Sequence, residues 1–247
     1  MDMMPITENK AGMNMEITRE LAIGPAQVVR ERKSGRLPVY ELCKAVADRF
    51  LAFCAVVILS PVLAALALWV RADSPGGAIY RREQVGKDGK RFTAYKFRTM
   101  EVNNDDREYK AYLVKYIQDN SPYKVDEDGK GVFKVVDDPR VTGAGVFLRR
   151  TNLDELPQLF NVLKGEMSFV GPRPDIPFSV NMYQKWHYRR LEVIPGITGL
   201  WQVCGRKGVS FEEMVRLDIE YIEKRSLWLD MKIMLLTVGT ILKGDGS

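Results

Sequence analysis

Hydropathy divides the chain into one long apolar run, a charge-rich middle, and shorter apolar stretches at strand or helix spacing. The run, residues 50–70 (FLAFCAVVILSPVLAALALWV), has 21 residues without a charge. As a helix it would reach about 31 Å at 1.5 Å per residue, close to the roughly 30 Å hydrocarbon core of a bilayer. A buried core helix is the alternative, but so long an uncharged stretch is uncommon in soluble proteins. Ser60-Pro61 stands at its centre. Pro61 removes the amide that would bond the Val57 carbonyl and kinks a helix. The Ser60 hydroxyl can reach back toward that turn, which makes the break tolerable in lipid. Residues 30–49 and 71–91 each carry six Lys/Arg and three acids. Such flanks give a crossing helix no orientation but suit a re-entrant hairpin with both ends on one side. The expectation is a segment that turns back, with a true span as its rival.

The remaining pattern predicts a mixed domain. Two strand-like runs, Ile79–Val85 and residues 91–100, flank Lys87-Asp88-Gly89 and read as a β-hairpin. In the second, period two puts Lys96 and Arg98 on one face and Tyr95 and Phe97 on the other. Tyr109, Tyr112, Leu113, Tyr116 and Ile117 recur at helical spacing, which predicts a surface helix over residues 106–119. Asp126-Glu127-Asp128-Gly129 marks a turn before a short strand at 132–136. That acid cluster lacks the twelve-residue calcium-loop pattern and reads as a solvated loop.

Residues 167–170 read as a buried strand, 177–190 as an aromatic helix, and 197–203 as another strand. Residues 211–225 are amphipathic, with Asp218 near the edge of the apolar stripe, where a surface acid is expected. Residues 228–242 are strongly apolar but short for a span; a core helix and a membrane-surface helix both satisfy them.

Composition narrows the chemistry. The net charge of +5 over 247 residues suits anionic partners. Nucleic acid is disfavoured because the cations bracket the apolar run. Cys43, Cys54 and Cys204 form no C-x-x-C, and an odd, scattered set argues against a disulfide framework. His187 is the only histidine, so histidine-based metal sites, Ser-His triads and Cys-His dyads are excluded. It reads as an interfacial or packing residue rather than an acid–base group. With no Walker A loop and no G-x-G-x-x-G, any chemistry must run on carboxylates, lysines and arginines.

Those residues gather in 148–174 (LRRTNLDELPQLFNVLKGEMSFVGPRP). Asn152-x-x-Glu155 has capping-box form, and Leu156, Leu159, Phe160 and Leu163 give an apolar helix face ended by Gly165. Acids in a first helical turn are also explained by the macrodipole alone. What sets Asp154-Glu155 apart is the company of Arg149, Arg150 and Arg173, because arginines near a helix amino end make an anion site.

Four motifs in order resemble the bacterial sugar transferases, the monotopic polyprenyl-phosphate phosphoglycosyl transferases that prime exopolysaccharide and O-antigen (lipopolysaccharide) assembly. They are YKFRTM (95–100), DPRVT (138–142), LDELPQLFNVLKGEMSFVGPRP (153–174) and PGITGLWQVCGR (195–206). The resemblance implies an α+β fold anchored by a re-entrant helical hairpin, with amphipathic interfacial helices and a small sheet. It divides the chain into a flexible basic lead (1–39), a re-entrant membrane helix broken at Ser60 and Pro61 (40–74), and a cytosolic catalytic domain (75–247) with a variable insertion at 101–136. With one long hydrophobic segment, the chain is expected to lack the several amino-terminal spans of larger members.

The implied reaction transfers a hexose phosphate from a UDP-sugar, glucose or galactose, to polyprenyl (undecaprenyl) phosphate with Mg²⁺. Asp154 would attack the sugar-bearing phosphorus, releasing UMP, and Glu155 would help Asp154 hold the metal. The same resemblance assigns Lys96 and Arg149 to substrate phosphates, Arg173 and Arg206 to the nucleotide end, and Arg98 to substrate binding. It also implies that Asp218 and Asp230 are further acids near the substrate site. It places the protein at the cytoplasmic face of a bacterial inner membrane, with membrane lipid, a homodimer and downstream glycosyltransferases as partners. A nucleotide-sugar hydrolase and a non-catalytic nucleotide-sugar-binding scaffold are the rival functions.

Overall fold

The uncharged run lies within one α-helix, α1 (Pro38–Asp73), in a computed structural model that describes residues 38–102, 106–125, 131–132, 138–204 and 209–242. The amino-terminal lead, the acidic turn at 126–129, Arg206 and most of 132–136 lie outside the described residues. By length and composition α1 is the described helix long and apolar enough to cross a membrane. Pro61 is inside it. The Ser60 hydroxyl donates to the Val57 carbonyl at 2.9 Å, the carbonyl that Pro61 cannot serve. The helix is assigned without interruption there, so the expected two-armed hairpin is seen as one element.

One stripe of α1 packs on the rest of the protein. Ala52 meets Leu159, Val162 and Met167, and Leu66 and Val70 meet Phe97, Ala144 and Leu148. The other faces of α1 leave Val39, Leu42, Phe50, Phe53, Ile58 and Leu68 exposed.

The hairpin forms as expected. β1 (Ile79–Val85) and β2 (Arg91–Phe97) pair antiparallel, with Tyr80 opposite Lys96. Asp88 and Gly89 take the left-handed backbone that closes the turn. β2 ends at Phe97, earlier than the apolar pattern suggests, because Arg98 is drawn away to the end of α1. The predicted surface helix is α2 (Arg107–Gln118), with Asp106 and Asp119 at its caps. β3 (Lys124–Val125) and β4 (Gly131–Val132) form a second hairpin.

α3 (Gly143–Thr151) is capped by Thr142, whose hydroxyl accepts from the Gly145 amide. A 3₁₀ turn (Leu153–Gln158) leads into α4 (Leu159–Lys164), which Gly165 ends at φ 76°. β5 (Ser168–Val170) then pairs in parallel with β6 (Gly196–Thr198). The expected single small sheet is thus three two-stranded sheets among the described residues.

Two expectations are corrected between β5 and the carboxyl end. Residues 177–190 divide into α5 (Pro177–Val180) and a 3₁₀ segment (Lys185–Glu192). The strand expected over 197–203 stops at Thr198, and Leu200–Cys204 form a helix, α6. α7 (Phe211–Lys224) begins at a Ser210 cap and buries Phe211, Met214, Val215 and Tyr221. α8 (Leu227–Leu242) buries Ile233 but leaves Trp228, Leu235 and Val238 exposed, so it combines a core face with an apolar outer face.

Candidate active site

Asp154 and Glu155 sit in the 3₁₀ turn, not at an α-helix amino end as their capping-box spacing suggests. Asn152 is left-handed (φ 56°) and its side chain makes no capping bond to this turn; Pro157 stands inside the turn. Asn161 holds the turn in place. Its side-chain nitrogen donates to the Thr93 carbonyl and the Glu166 carboxylate, both at 2.7 Å, and its oxygen accepts from the Tyr95 amide at 3.1 Å. The side chain thereby serves the edge of β2 as a neighbouring strand would, and it is fully buried. Sequence reasoning missed Asn161. The signal was a lone amide within the apolar run LFNVL.

With α4 pinned to β2, Lys96 reaches the dyad. Its ammonium donates to Glu155 Oε1 at 2.8 Å. Arg173, in the Pro172-Arg173-Pro174 turn after β5, donates to the same oxygen and, at 3.2 Å, to Oε2. Burial alone would raise the Glu155 carboxyl. The charges and hydrogen bonds of Arg173 and Lys96 overturn that effect and hold it well below the usual carboxylate range.

Asp154 differs from its neighbour. It is buried, yet among the described residues no hydrogen bond or ion pair engages its carboxylate. Burial raises its pKa above the usual aspartate value, and Glu155's charge adds to this; Lys96, Arg173 and Arg149 pull the other way without cancelling it. Arg149 lies on the last turn of α3, and its Nε donates to Thr99 Oγ1 at 3.0 Å. Asp154 and Asp138 both act electrostatically on it. Asp138 in turn holds Arg140, at 2.8 and 2.6 Å. Three cations therefore surround two acids, a charge excess that suits phosphate oxygens.

Arg98, Asp218 and Asp230, also expected at the site, are bonded to other groups than the dyad. Arg98 donates to the Gly77, Val70 and Ser74 carbonyls and to the Ser74 hydroxyl, tying down the end of α1. Asp218, expected at the surface, is wholly buried and accepts from Arg190 Nε at 2.7 Å. Asp230 accepts from Lys44 (2.8 Å), Tyr40 (3.0 Å) and Tyr221 (2.7 Å), which fastens the start of α1 to α7 and α8. His187 is a packing residue. It is buried against Tyr183, Trp186 and Phe211, and its Nδ1 accepts the Gln184 amide.

Among the described residues no group of three or more His, Cys, Asp or Glu could hold a metal unaided. The dyad still fits a magnesium ion that takes most of its ligands from phosphate and water. Its oxygens are hard donors, Asp154 is unclaimed, and Glu155 Oε2 accepts a single hydrogen bond.

Residues 39–244 match the family described as bacterial sugar transferase. The chain belongs to that family. It is 42% identical over 192 residues to the undecaprenyl-phosphate galactose phosphotransferase of Salmonella typhimurium, covering 77% of this chain and 38% of that protein. It is 40% identical over 208 residues to the UDP-glucose:undecaprenyl-phosphate glucose-1-phosphate transferase of Escherichia coli, covering 81% and 40%. The chain thus spans less than half the length of these two curated relatives. With the exopolysaccharide production protein ExoY of Sinorhizobium fredii it shares 35% identity over 210 residues, 85% of this chain and 90% of that one.

Proposed function

We propose that this sugar transferase moves a hexose 1-phosphate from a UDP-sugar to a polyprenyl phosphate through a covalent intermediate on Asp154. The observation that carries this reading is the unequal treatment of the two acids: Glu155 is clasped by Lys96 and Arg173, while Asp154 is buried, raised in pKa and unclaimed. An unpaired carboxylate among cations is poised to meet an anionic electrophile.

In the first step an Asp154 oxygen forms a bond to the sugar-bearing phosphorus of the donor. The bond from that phosphorus to the bridging oxygen breaks, and UMP leaves with the electron pair. In the second step an oxygen of polyprenyl phosphate attacks the same phosphorus. The phosphorus–Asp154 bond breaks, which restores the carboxylate and yields a polyprenyl diphosphate sugar. Lys96, Arg149 and Arg173 hold phosphate oxygens as charge shifts among them. Asp154 and the free side of Glu155 Oε2 would hold Mg²⁺, which supplies further charge neutralisation at those oxygens. The names of the relatives favour glucose or galactose as the sugar.

The placement of α1 supports a monotopic anchor, which we propose lies at the cytoplasmic face of the inner membrane. Its start, through Tyr40 and Lys44, and its end, through Val70 and Asp73, both touch the same folded domain. A helix crossing perpendicular to the bilayer would leave one end some 30 Å of hydrocarbon away from that domain. The exposed apolar sides of α1 and α8 then lie in lipid, beside the phosphate of the acceptor.

The test is UMP release by the protein in lipid, with Mg²⁺, polyprenyl phosphate and a panel of UDP-sugars. Acceptor-dependent release with one sugar is expected. Continued release without acceptor, beyond one equivalent of enzyme, would replace the transferase with a hydrolase. No release with any donor would leave a binding scaffold.

A further inference from the structure

Behind the dyad, Arg190 and Asp218 form an ion pair that is all but sealed from water. Each nitrogen of the Arg190 guanidinium has its own partner. Nε donates to Asp218 Oδ2 at 2.7 Å, Nη1 to the Tyr183 hydroxyl at 2.7 Å, and Nη2 to the backbone carbonyl of Arg173 at 3.0 Å. The Tyr183 hydroxyl in turn donates a hydrogen bond to Asp175 Oδ2 at 3.0 Å. The network therefore ends on both sides of Pro174, in the turn whose side chain clasps Glu155.

The same turn is fastened at its flanks. The Gly171 amide donates to the Thr198 carbonyl, and the Gly196 amide donates to the Pro172 carbonyl, both at 2.9 Å. A Cβ on Gly196 would stand 2.1 Å from the Gly171 nitrogen, so the two backbones meet where only glycine fits. On the far side, the Val85 amide at the end of β1 donates to the Asp175 carbonyl at 2.8 Å. β1 is the partner of β2, which carries Lys96. Both cations on Glu155 thus hang from one braced frame, and Arg190 is its rear brace.

A buried ion pair is a weak source of stability, because desolvation offsets most of its attraction. A hydrophobic pair of similar volume would fill the space as well. What it could not do is direct three donors along fixed lines, which the planar guanidinium does and a lysine cannot. We propose that Arg190, oriented by Asp218 and Tyr183, is a positioning residue: through the Arg173 carbonyl it sets the reach of the Arg173 guanidinium onto Glu155 and so leaves Asp154 unclaimed. This inference rests on the transferase reading of the dyad.

Removing Arg190 alone strands Asp218 as an unpaired buried acid. The test therefore replaces the pair together, Arg190→Met with Asp218→Leu, in the full-length protein in lipid, with Tyr183→Phe as a milder second variant. A displacement of about 1 Å at the reacting groups costs on the order of 100-fold in rate. Turnover of the folded double variant is expected to fall roughly 10- to 100-fold on that ground, and that of Tyr183→Phe by less. The loss should be non-additive with Arg173→Ala, where replacing the pair costs little more, as expected of groups acting as one unit. Losses that simply multiply, or full turnover in the folded double variant, would overturn the proposal.

Hydrogen exchange supplies a readout independent of activity. Exchange should quicken in segments 171–176 and 153–158 of the double variant, while β1 and β2 stay protected. Unchanged exchange in both segments would also overturn it. If the wild-type protein releases no UMP, the transferase reading falls, and the exchange comparison still decides the brace.

Discussion

Lys96 and Arg173, brought from different ends of the fold, donate to the same oxygen of Glu155. The consequence falls on the neighbouring residue. Once two cations have committed themselves to Glu155, Asp154 is left buried, free and more basic than an ordinary aspartate. Two adjacent carboxylates of nearly the same chemistry acquire separate roles from their surroundings.

With Asp154 as the proposed nucleophile, that division predicts that the acid limb of the activity profile belongs to it. The proposed role needs the ionised form, so activity should rise with pH through a value above the ordinary aspartate range. Lys96 is the foremost of the charges that favour ionisation of Asp154. Lys96→Met should move the acid limb to higher pH, besides lowering the maximal rate. A kcat profile measured from pH 4 to 8 checks this, and a limb that stays in place or moves down would contradict it.

Arg98 lies one residue beyond the strand that bears Lys96, but its four hydrogen bonds all serve the end of α1 and the loop after it. Arg98→Ala should cost about 2–4 kcal/mol of stability, as expected when buried carbonyls lose a charged donor. Turnover per folded molecule should stay within about threefold, since 1.4 kcal/mol would already be a tenfold change. Thermal unfolding and active-site titration separate the two quantities. A stable variant with collapsed turnover would return Arg98 to the substrate site.

His187 offers a stability test. Burial, aided by the charge of Arg190, depresses its pKa to about 4, against about 6.5 in an unfolded chain. Its contribution is complete above about pH 6.5 and is lost as pH falls toward 4, because the unfolded chain takes up a proton that the native protein refuses. The melting temperature should decline from pH 7 to 5, above the range of ordinary carboxylates. His187→Gln should flatten that decline while lowering stability at pH 7, and an unchanged slope would show that His187 does not carry it.

The topology of α1 can be read at Cys43, which is exposed near its start, the end away from the catalytic domain in sequence. In a variant with Cys54 and Cys204 changed to serine, Cys43 should resist a membrane-impermeant thiol reagent in intact cells. It should react in inverted vesicles. Ready labelling in intact cells would mean that the helix crosses the membrane.

Much of this was legible in the sequence, and the exceptions share a cause. The hairpin, α2, α4, α7 and the Gly165 stop follow from periodicity and turn residues, which are local. Asp154 and Glu155 were legible as a pair, but their unequal environments depend on Lys96 and Arg173, which only the fold brings to them. The spacing Asn152-x-x-Glu155 misled because Asn152 goes left-handed and Pro157 tightens the turn into a 3₁₀ form. Asp218 reads as a surface acid along its own helix, and only Arg190 in another segment accounts for its burial. Leu200–Cys204 has a strand's composition, yet it coils directly after the Gly199 that lies against the Gly171 carbonyl.

The most direct measurement is mass spectrometry of the protein incubated with a UDP-sugar and Mg²⁺ but no acceptor, then quenched and digested. The account predicts a hexose phosphate on the peptide that holds Asp154, formed with one equivalent of UMP and discharged on adding polyprenyl phosphate. Asp154→Asn should show neither adduct nor release, with donor binding largely kept. Release of UMP in full with Asp154 never modified, or undiminished turnover by Asp154→Asn, would contradict it.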